Sequence, residues 1–205
     1  MIKNLLFDLG DVIINIDVPR AAVNFAKLTE KTTAEVSQIF QEKQLFRQFE
    51  TGIINAKQFR NYIREILQAS DLSDVVIDLA WNSLLLELPP ARVALLQTLA
   101  NKYRLFLLSN TSPIHIAETN QILERATDVS RLEELFEIAF YSYEMNLMKP
   151  DPAIYLRVLE EAGILAEETL FLDDNADNIK SAQLLGIHTI HVQKPNTILE
   201  YLAEY

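Results

Sequence analysis

Leu170-Phe171-Leu172-Asp173-Asp174 decides the fold: it is an apolar run too short for a helix, closed abruptly by two neighbouring carboxylates. Three other apolar runs end in the same manner. Leu5-Leu6-Phe7 is closed by Asp8, residues 105–108 by Ser109-Asn110-Thr111, and Phe140-Tyr141 stands shortly before Lys149-Pro150. Short continuous apolar runs fit strands buried on both faces, as in a parallel sheet. In an open parallel sheet the ligand crevice lies outside the carboxyl ends of the strands, so four polar strand ends far apart in sequence converge on one site.

The segments between these runs fit the same architecture. Helices are expected from about Ile114, after Pro152 and over residues 176–185, where Gly186 supplies a stop. They alternate with strands near residues 105–108, 138–141, 170–172 and 188–192, and Asn196 is placed to cap a last helix. Regular alternation predicts βαβ units, hence an α/β fold with a Rossmann-like, doubly wound parallel sheet and right-handed crossovers. Residues 19–88 contain no convincing strand. Pro19 suits a first helical position, Thr32 and Glu35 have capping-box spacing, and Phe59, Tyr62, Ile63, Ile66 and Leu67 follow a helical repeat. Ser73 with residues 81–85 suggests another helix, and Pro89-Pro90 ends the insertion and opens a further one. The chain is therefore divided into an α/β core, residues 1–15 plus 90–205, and a small all-helical cap, residues 16–89, that can hang over the crevice as a lid. Phe40, Phe46, Phe49, Phe59, Tyr62 and Trp81 read as the cap's own core, with one or two free to face a ligand. Glu50-Thr51-Gly52 interrupts the helical pattern and reads as a loop directed at the crevice.

Composition narrows the function. The chain has 205 residues, 49% of them hydrophobic and 23% charged, which is enough for a large core and argues against disorder. It has no cysteine, which excludes disulfides, thiolate nucleophiles and sulfur-ligated metals. A net charge of −11 without a Lys/Arg cluster argues against nucleic acid, and it requires any phosphate site to be made locally positive. Asp8 and Asp11 interrupt the first apolar run before it reaches the length of a secretory segment, and no run has membrane-spanning length. A cytoplasmic protein, monomeric or weakly homodimeric, with no membrane or nucleic-acid partner is expected.

In this order, Asp8-Leu9-Gly10-Asp11-Val12, Ser109-Asn110, Lys149-Pro150 and Asp173-Asp174 resemble the four motifs of the haloacid dehalogenase-like (HAD) hydrolase superfamily, over nearly the whole chain. More narrowly, residues 7–13 together with residues 171–179 resemble the bacterial branch of sugar-phosphate phosphatases that contains the α-glucose-1-phosphatases. The resemblance implies a Mg²⁺-dependent phosphomonoester hydrolase that forms an aspartyl-phosphate from a small organic phosphate such as a sugar phosphate. It implies Asp8 as nucleophile and magnesium held by Asp8, the Gly10 carbonyl and Asp174, with Asp173 orienting a metal water or sharing coordination. Asn178 stands where the family often has a polar residue supporting the metal site.

The chemistry of these residues agrees. A carboxylate with an ordinary pKa of about 4 is ionised at pH 7, so Asp8 needs no general base to attack phosphorus. Repulsion between two anions is the difficulty, and a hard cation with oxygen ligands answers it; neighbouring Asp173 and Asp174 repel one another and seek such a cation. The Ser109 hydroxyl and the backbone N–H groups of Asn110 and Thr111 are expected to donate to phosphoryl oxygens, with Lys149 as a compact positive charge. Pro150 biases Lys149 to extended backbone, and Asp151 and Pro152 read as cap and first position of the next helix.

Gly10 is the departure. Most phosphatases of the superfamily carry there a second aspartate that protonates the leaving oxygen and then activates water, although the branch resembled here also has Gly. Such help is worth about 10²–10⁴-fold, or roughly 3–5 kcal/mol of barrier. A metal-bound or lid-held water, or Asp11 as the nearest remaining carboxylate in sequence, is the expected substitute. The rivals are a haloacid dehalogenase, which uses the same aspartate on carbon without metal, a phosphomutase, and a catalytically weak phosphate-binding regulatory protein. His115, His188 and His191 lack zinc-site spacing and read as surface or loop residues.

Overall fold

In the computed structural model, which describes the backbone of residues 1–205 and every side chain except those of Glu42, Lys43 and Leu45, the apolar runs are strands. β1 (Asn4–Phe7), β2 (Arg104–Ser109), β3 (Ile138–Tyr141), β4 (Thr169–Asp173) and β5 (His188–His191) form one parallel sheet in the order β3-β2-β1-β4-β5. Between β1 and β2 lie six helices, α1 (Pro19–Lys27), α2 (Thr33–Lys43), α3 (Leu45–Glu50), α4 (Ala56–Leu67), α5 (Asp74–Asn82) and α6 (Pro90–Leu99). α7 (Pro113–Ala126) leads to β3, α8 (Ser142–Met145) and α9 (Pro152–Ala162) to β4, α10 (Ala176–Leu184) to β5, and α11 (Ile198–Tyr201) follows.

The topology follows from the residues. Alternate positions of a strand face opposite ways, and here both faces are apolar. Leu5, Phe7, Leu105 and Leu107 point into one cluster with Leu96 of α6 and Leu123 of α7. Leu6, Phe106, Leu108 and Phe171 point into the other with Ile154 and Val158 of α9. Helices thus cover both faces, and the doubly wound α/β fold is as expected. β1 is central, with β2 on one side and β4 on the other, so its tip lies where the strand order reverses, the usual ligand position of such sheets.

Boundaries differ from expectation in three places. β5 ends at His191, and Val192 lies beyond it, although its N–H still donates to the Asp173 carbonyl at 2.9 Å. The last helix is capped by Thr197 and not Asn196, because Thr197 receives the Leu199 N–H and Glu200 returns to the Thr197 N–H, a complete capping box. α5 ends at Asn82, short of residue 85. The chain from there runs antiparallel to the segment after β1: Asp17 N–H donates to Leu84 O at 2.9 Å and Leu86 N–H to Asn15 O at 2.9 Å. The two connections to the inserted helices are therefore stitched side by side.

Those helices have a cluster of their own, containing Phe25, Phe40, Phe49, Phe59, Ile63 and Trp81, with Phe49 and Phe59 stacked at 4.2 Å between ring centroids. The Thr32–Glu35 capping box forms as expected, and a second forms between Asn55 and Gln58. α7 of the sheet layer joins this cluster through Ile114. No described helix is long and apolar enough to cross a membrane.

His115 corrects the expectation of a surface or loop residue. It lies in α7, 5% exposed, its ring stacked on Trp81 at 4.6 Å and its Nδ1 2.9 Å from Asn82 Oδ1, while the Trp81 indole donates to Ser112 Oγ at 3.2 Å. Burial pushes its pKa down to about 3. The unfolded chain, with histidine near 6.5, binds the proton first, so His115 contributes stability above pH 6.5 that is lost as pH falls toward 3. About 2 kcal/mol should be gone at pH 5. The non-titrating His115→Gln variant should show a stability difference between pH 7 and pH 5 smaller by that amount in urea melts, and an unaltered difference would place the pH dependence elsewhere.

Candidate active site

Asp8 is the residue after β1, held level with the tip of β4 by its N–H bond to the Leu172 carbonyl at 2.9 Å. Asp173 ends β4 beside it. Lys149, from the loop after α8, reaches both: its Nζ lies 2.7 Å from Asp8 Oδ1, 2.6 Å from Asp173 Oδ2 and 2.9 Å from the Leu108 carbonyl. An ammonium has three N–H donors, and each finds an acceptor at the end of a different strand, β1, β4 and β2. Lys149 is 2% exposed and Asp173 fully buried. Asn110 fastens the lysine from the other side, donating from Nδ2 to the Lys149 carbonyl and accepting the Lys149 N–H, both at 2.9 Å.

Asp173 is saturated. Asn178 Nδ2 lies 3.0 Å from each of its oxygens and the Asn175 N–H donates to Oδ1 at 2.8 Å. Asp174 is partly exposed, and ligand oxygens of Asp8, Asp173 and Asp174 all lie within 4.8 Å of one another. Three carboxyls face one ammonium, and burial with too little counter-charge displaces Asp8 and Asp174 from the ordinary carboxylate range. Burial, reinforced by Asp173 and opposed by Lys149, pushes Asp8 up to about 7, and burial followed by the Asp173 and Asp11 charges raises Asp174. Lys149 is lowered by burial but raised on balance by Asp8 and Asp173. The ordinary carboxylate pKa expected for Asp8 is thus corrected by its surroundings. A cluster of hard oxygen donors in excess of its positive charge is what a divalent cation of the magnesium type fits.

The β2 end divides its expected roles. Ser109 is buried and lines a cavity of about 410 Å³. The Thr111 N–H, expected at the anion, is engaged by Ser142 Oγ at 3.0 Å, and the cap of α7 is Ser112. The cavity lies between the sheet end and the inserted helices. Leu9, Gly10, Ser109 and Asn110 are on its core side and Phe46 and Trp81 on the other; Asp8 immediately precedes Leu9 in the chain. Asp11 faces elsewhere. Its Oδ1 accepts the Ile16 N–H at 3.2 Å and lies 2.9 Å from Lys194 Nζ, in a pocket of about 220 Å³ shared with Asp174 and His191.

The Glu50-Thr51-Gly52 turn does reach the cavity, through Glu50, and it is tied to the sheet layer by α8. Asn146 Nδ2 donates to the Thr51 carbonyl at 2.9 Å, and a Cβ on Gly52, whose φ is +69°, would sit 2.2 Å from the Tyr143 carbonyl oxygen. Gly52→Ala should therefore cost about 2 kcal/mol from the left-handed backbone alone and more from the collision. Urea melts check this, and a loss below about 0.5 kcal/mol would mean that the turn is not pressed against α8.

A family model described as haloacid dehalogenase-like hydrolase matches residues 2–186. D-ribitol-5-phosphate phosphatase of Bacteroides thetaiotaomicron is 28% identical over 189 residues, which is 92% of this chain and 91% of that protein. The structure of a HAD family enzyme from the same organism, in complex with magnesium and inorganic phosphate, has a TM-score of 0.86 at 40% identity and covers 96% of each chain. An L-2-haloacid dehalogenase from Xanthobacter autotrophicus shares the fold, with a TM-score of 0.62 at 21% identity over 100% of this chain and 84% of that one.

Proposed function

The chain belongs to the haloacid dehalogenase-like hydrolase family, and we propose that it is a magnesium-dependent phosphatase acting on a small sugar or polyol phosphate through an aspartyl-phosphate at Asp8. The observation that carries this reading is the gathering of Asp8, Asp173 and Asp174 around one buried lysine at the switch point of the sheet. The likeness to a D-ribitol-5-phosphate phosphatase and to a magnesium and phosphate complex supports it.

Asp8, Asp174 and the Gly10 carbonyl would hold the metal. The cation would favour the charged carboxylates and offset repulsion between Asp8 and phosphate. Asp8 contributes an oxygen that bonds to phosphorus as the bond to the leaving oxygen breaks. Asp173, its own oxygens occupied by Asn175, Asn178 and Lys149, is the residue that positions Lys149 and so keeps Asp8 oriented. Ser109 faces the phosphoryl oxygens with its hydroxyl, and Asn110 acts through Lys149. In this reading residues 16–89 are the cap over a core of residues 1–15 and 90–205, and the 410 Å³ cavity takes the organic part of the ester.

A panel of small phosphate esters assayed with Mg²⁺ and with EDTA tests the reading. Wild-type turnover should fall by at least about 10²-fold on chelation, and Asp174→Asn should need far more Mg²⁺ for half-maximal rate. Activity that persists in EDTA points to displacement at carbon. Phosphate binding without turnover of any ester points to a regulatory protein.

A further inference from the structure

Gly10 lacks the acid that phosphoryl transfer to water needs for a poor leaving group, and the structure offers one across the cavity. Gly10 lines that cavity, and the space for a side chain there is filled by Ile16, whose Cδ1 lies 2.8 Å from where a Cβ would be. Asp11 is turned to the other pocket, holding the Ile16 N–H and Lys194. Among the described residues, Glu50, the last of α3, is the one acidic residue lining the cavity, and no lysine or arginine lines it. Its carboxyl has no hydrogen bond or ion pair with any described residue. Burial alone pushes it up to about 7, where a carboxyl both gives and takes a proton near neutral pH. The next two residues fix it over the sheet: Thr51 is held by Asn146 and Gly52 is pressed on Tyr143.

We propose that Glu50 is the proton donor to the leaving oxygen, in the place of the carboxylate missing at Gly10. The proposal rests on the phosphatase reading above. As Asp8 bonds to phosphorus, the electron pair of the broken P–O bond goes to the leaving oxygen, which takes the Glu50 proton and departs as an alcohol. In the second half, Glu50 carboxylate takes a proton from water as the water oxygen bonds to phosphorus and Asp8 leaves as carboxylate. The acid is restored and inorganic phosphate is released.

Single-turnover release of alcohol, measured with Mg²⁺ for glycerol phosphate and for 4-nitrophenyl phosphate, tests this. Glu50→Gln should slow glycerol release by about 10²-fold or more and nitrophenolate release by less than about tenfold, since nitrophenolate leaves without a proton. KM should change little. Glu50→Asp, which keeps the carboxyl, should recover at least about tenfold of the glycerol rate. Equal slowing of both esters, no slowing of either, or a raised KM with kcat kept would overturn the proposal, as would the same leaving-group dependence in Asp11→Asn instead. Nitrophenolate release by the Glu50→Gln protein itself shows that it is folded. Failure of the wild type to turn over either ester is a different result and would refute the phosphatase reading.

Discussion

Asp8→Asn is expected to abolish turnover and at the same time to stabilise the metal-free protein. Both effects come from one charge. With Asp8 as the proposed nucleophile, its attacking oxygen is removed, and loss of a residue on which the whole covalent sequence would depend lowers kcat by on the order of 10⁴–10⁶-fold. Yet Asp8 and Asp173 share a single ammonium, so in the absence of metal one carboxylate is uncompensated in a buried site. Asparagine keeps an oxygen that can accept from Lys149 Nζ and leaves a neutral Lys149–Asp173 pair. Relief of an uncompensated buried charge is worth about 1–4 kcal/mol. The pH sign follows from the raised Asp8 pKa. Its destabilising effect is absent below about 4, the ordinary value, and grows as pH rises through about 7, so the gain from Asn is largest at pH 8 and vanishes in acid. Urea melts in EDTA at pH 5 and pH 8 measure it. A variant that is inactive but less stable than wild type at pH 8 would show that Asp8 is a net stabilising partner of Lys149 and not an uncompensated charge.

This trade of stability for reactivity explains what the sequence shows and what it hides. Asp8, Ser109 and Asp173 are legible because each closes an apolar run at the carboxyl end of a strand, and several such ends together mark the ligand crevice of an open parallel sheet. Paired carboxylates at residues 173 and 174 announce a cation for the same reason. Lys149 is legible as a charge near the site but not as the bridge between Asp8 and Asp173, because that depends on β1 lying between β2 and β4. The ionisation of Asp8 is hidden for the same cause: an ordinary pKa belongs to the residue type, and about 7 belongs to its burial. His115 and Glu50 illustrate a harder limit. His115 breaks no local pattern, and Glu50 stands in an interruption of the helical pattern that points to the crevice without assigning a role; each acquires its character from helices of the insertion folding back on α7 and α8. The missing acid at Gly10, by contrast, is visible as an absence in sequence, while the carboxyl proposed to replace it on α3 is brought to the cavity only by the fold.

Lys149→Met should be the most destabilising single change in the site. Methionine matches the length and apolar stem of lysine, so the packing is preserved and the charge is isolated. Without the ammonium, Asp8 and Asp173 face each other with no counter-charge, and Asp173 has no exposure through which water could help. Breaking a buried ion pair from one side costs about 3–5 kcal/mol, against about 0–1 kcal/mol for a pair at the surface such as Lys3–Glu168. The orphaned pair can escape by binding a proton at Asp8, whose folded pKa is already raised above the unfolded value; the loss should therefore be greatest above pH 7 and shrink toward pH 5. The double variant Asp8→Asn with Lys149→Met removes one of the two orphaned charges, and it should be more stable than Lys149→Met alone. Denaturant melts of the four proteins in EDTA close this cycle. A gain from Asp8→Asn no larger in the Lys149→Met background than in wild type, or a Lys149→Met cost below about 1 kcal/mol at pH 8, would mean that Lys149 is not the ion that lets this sheet carry its carboxylates.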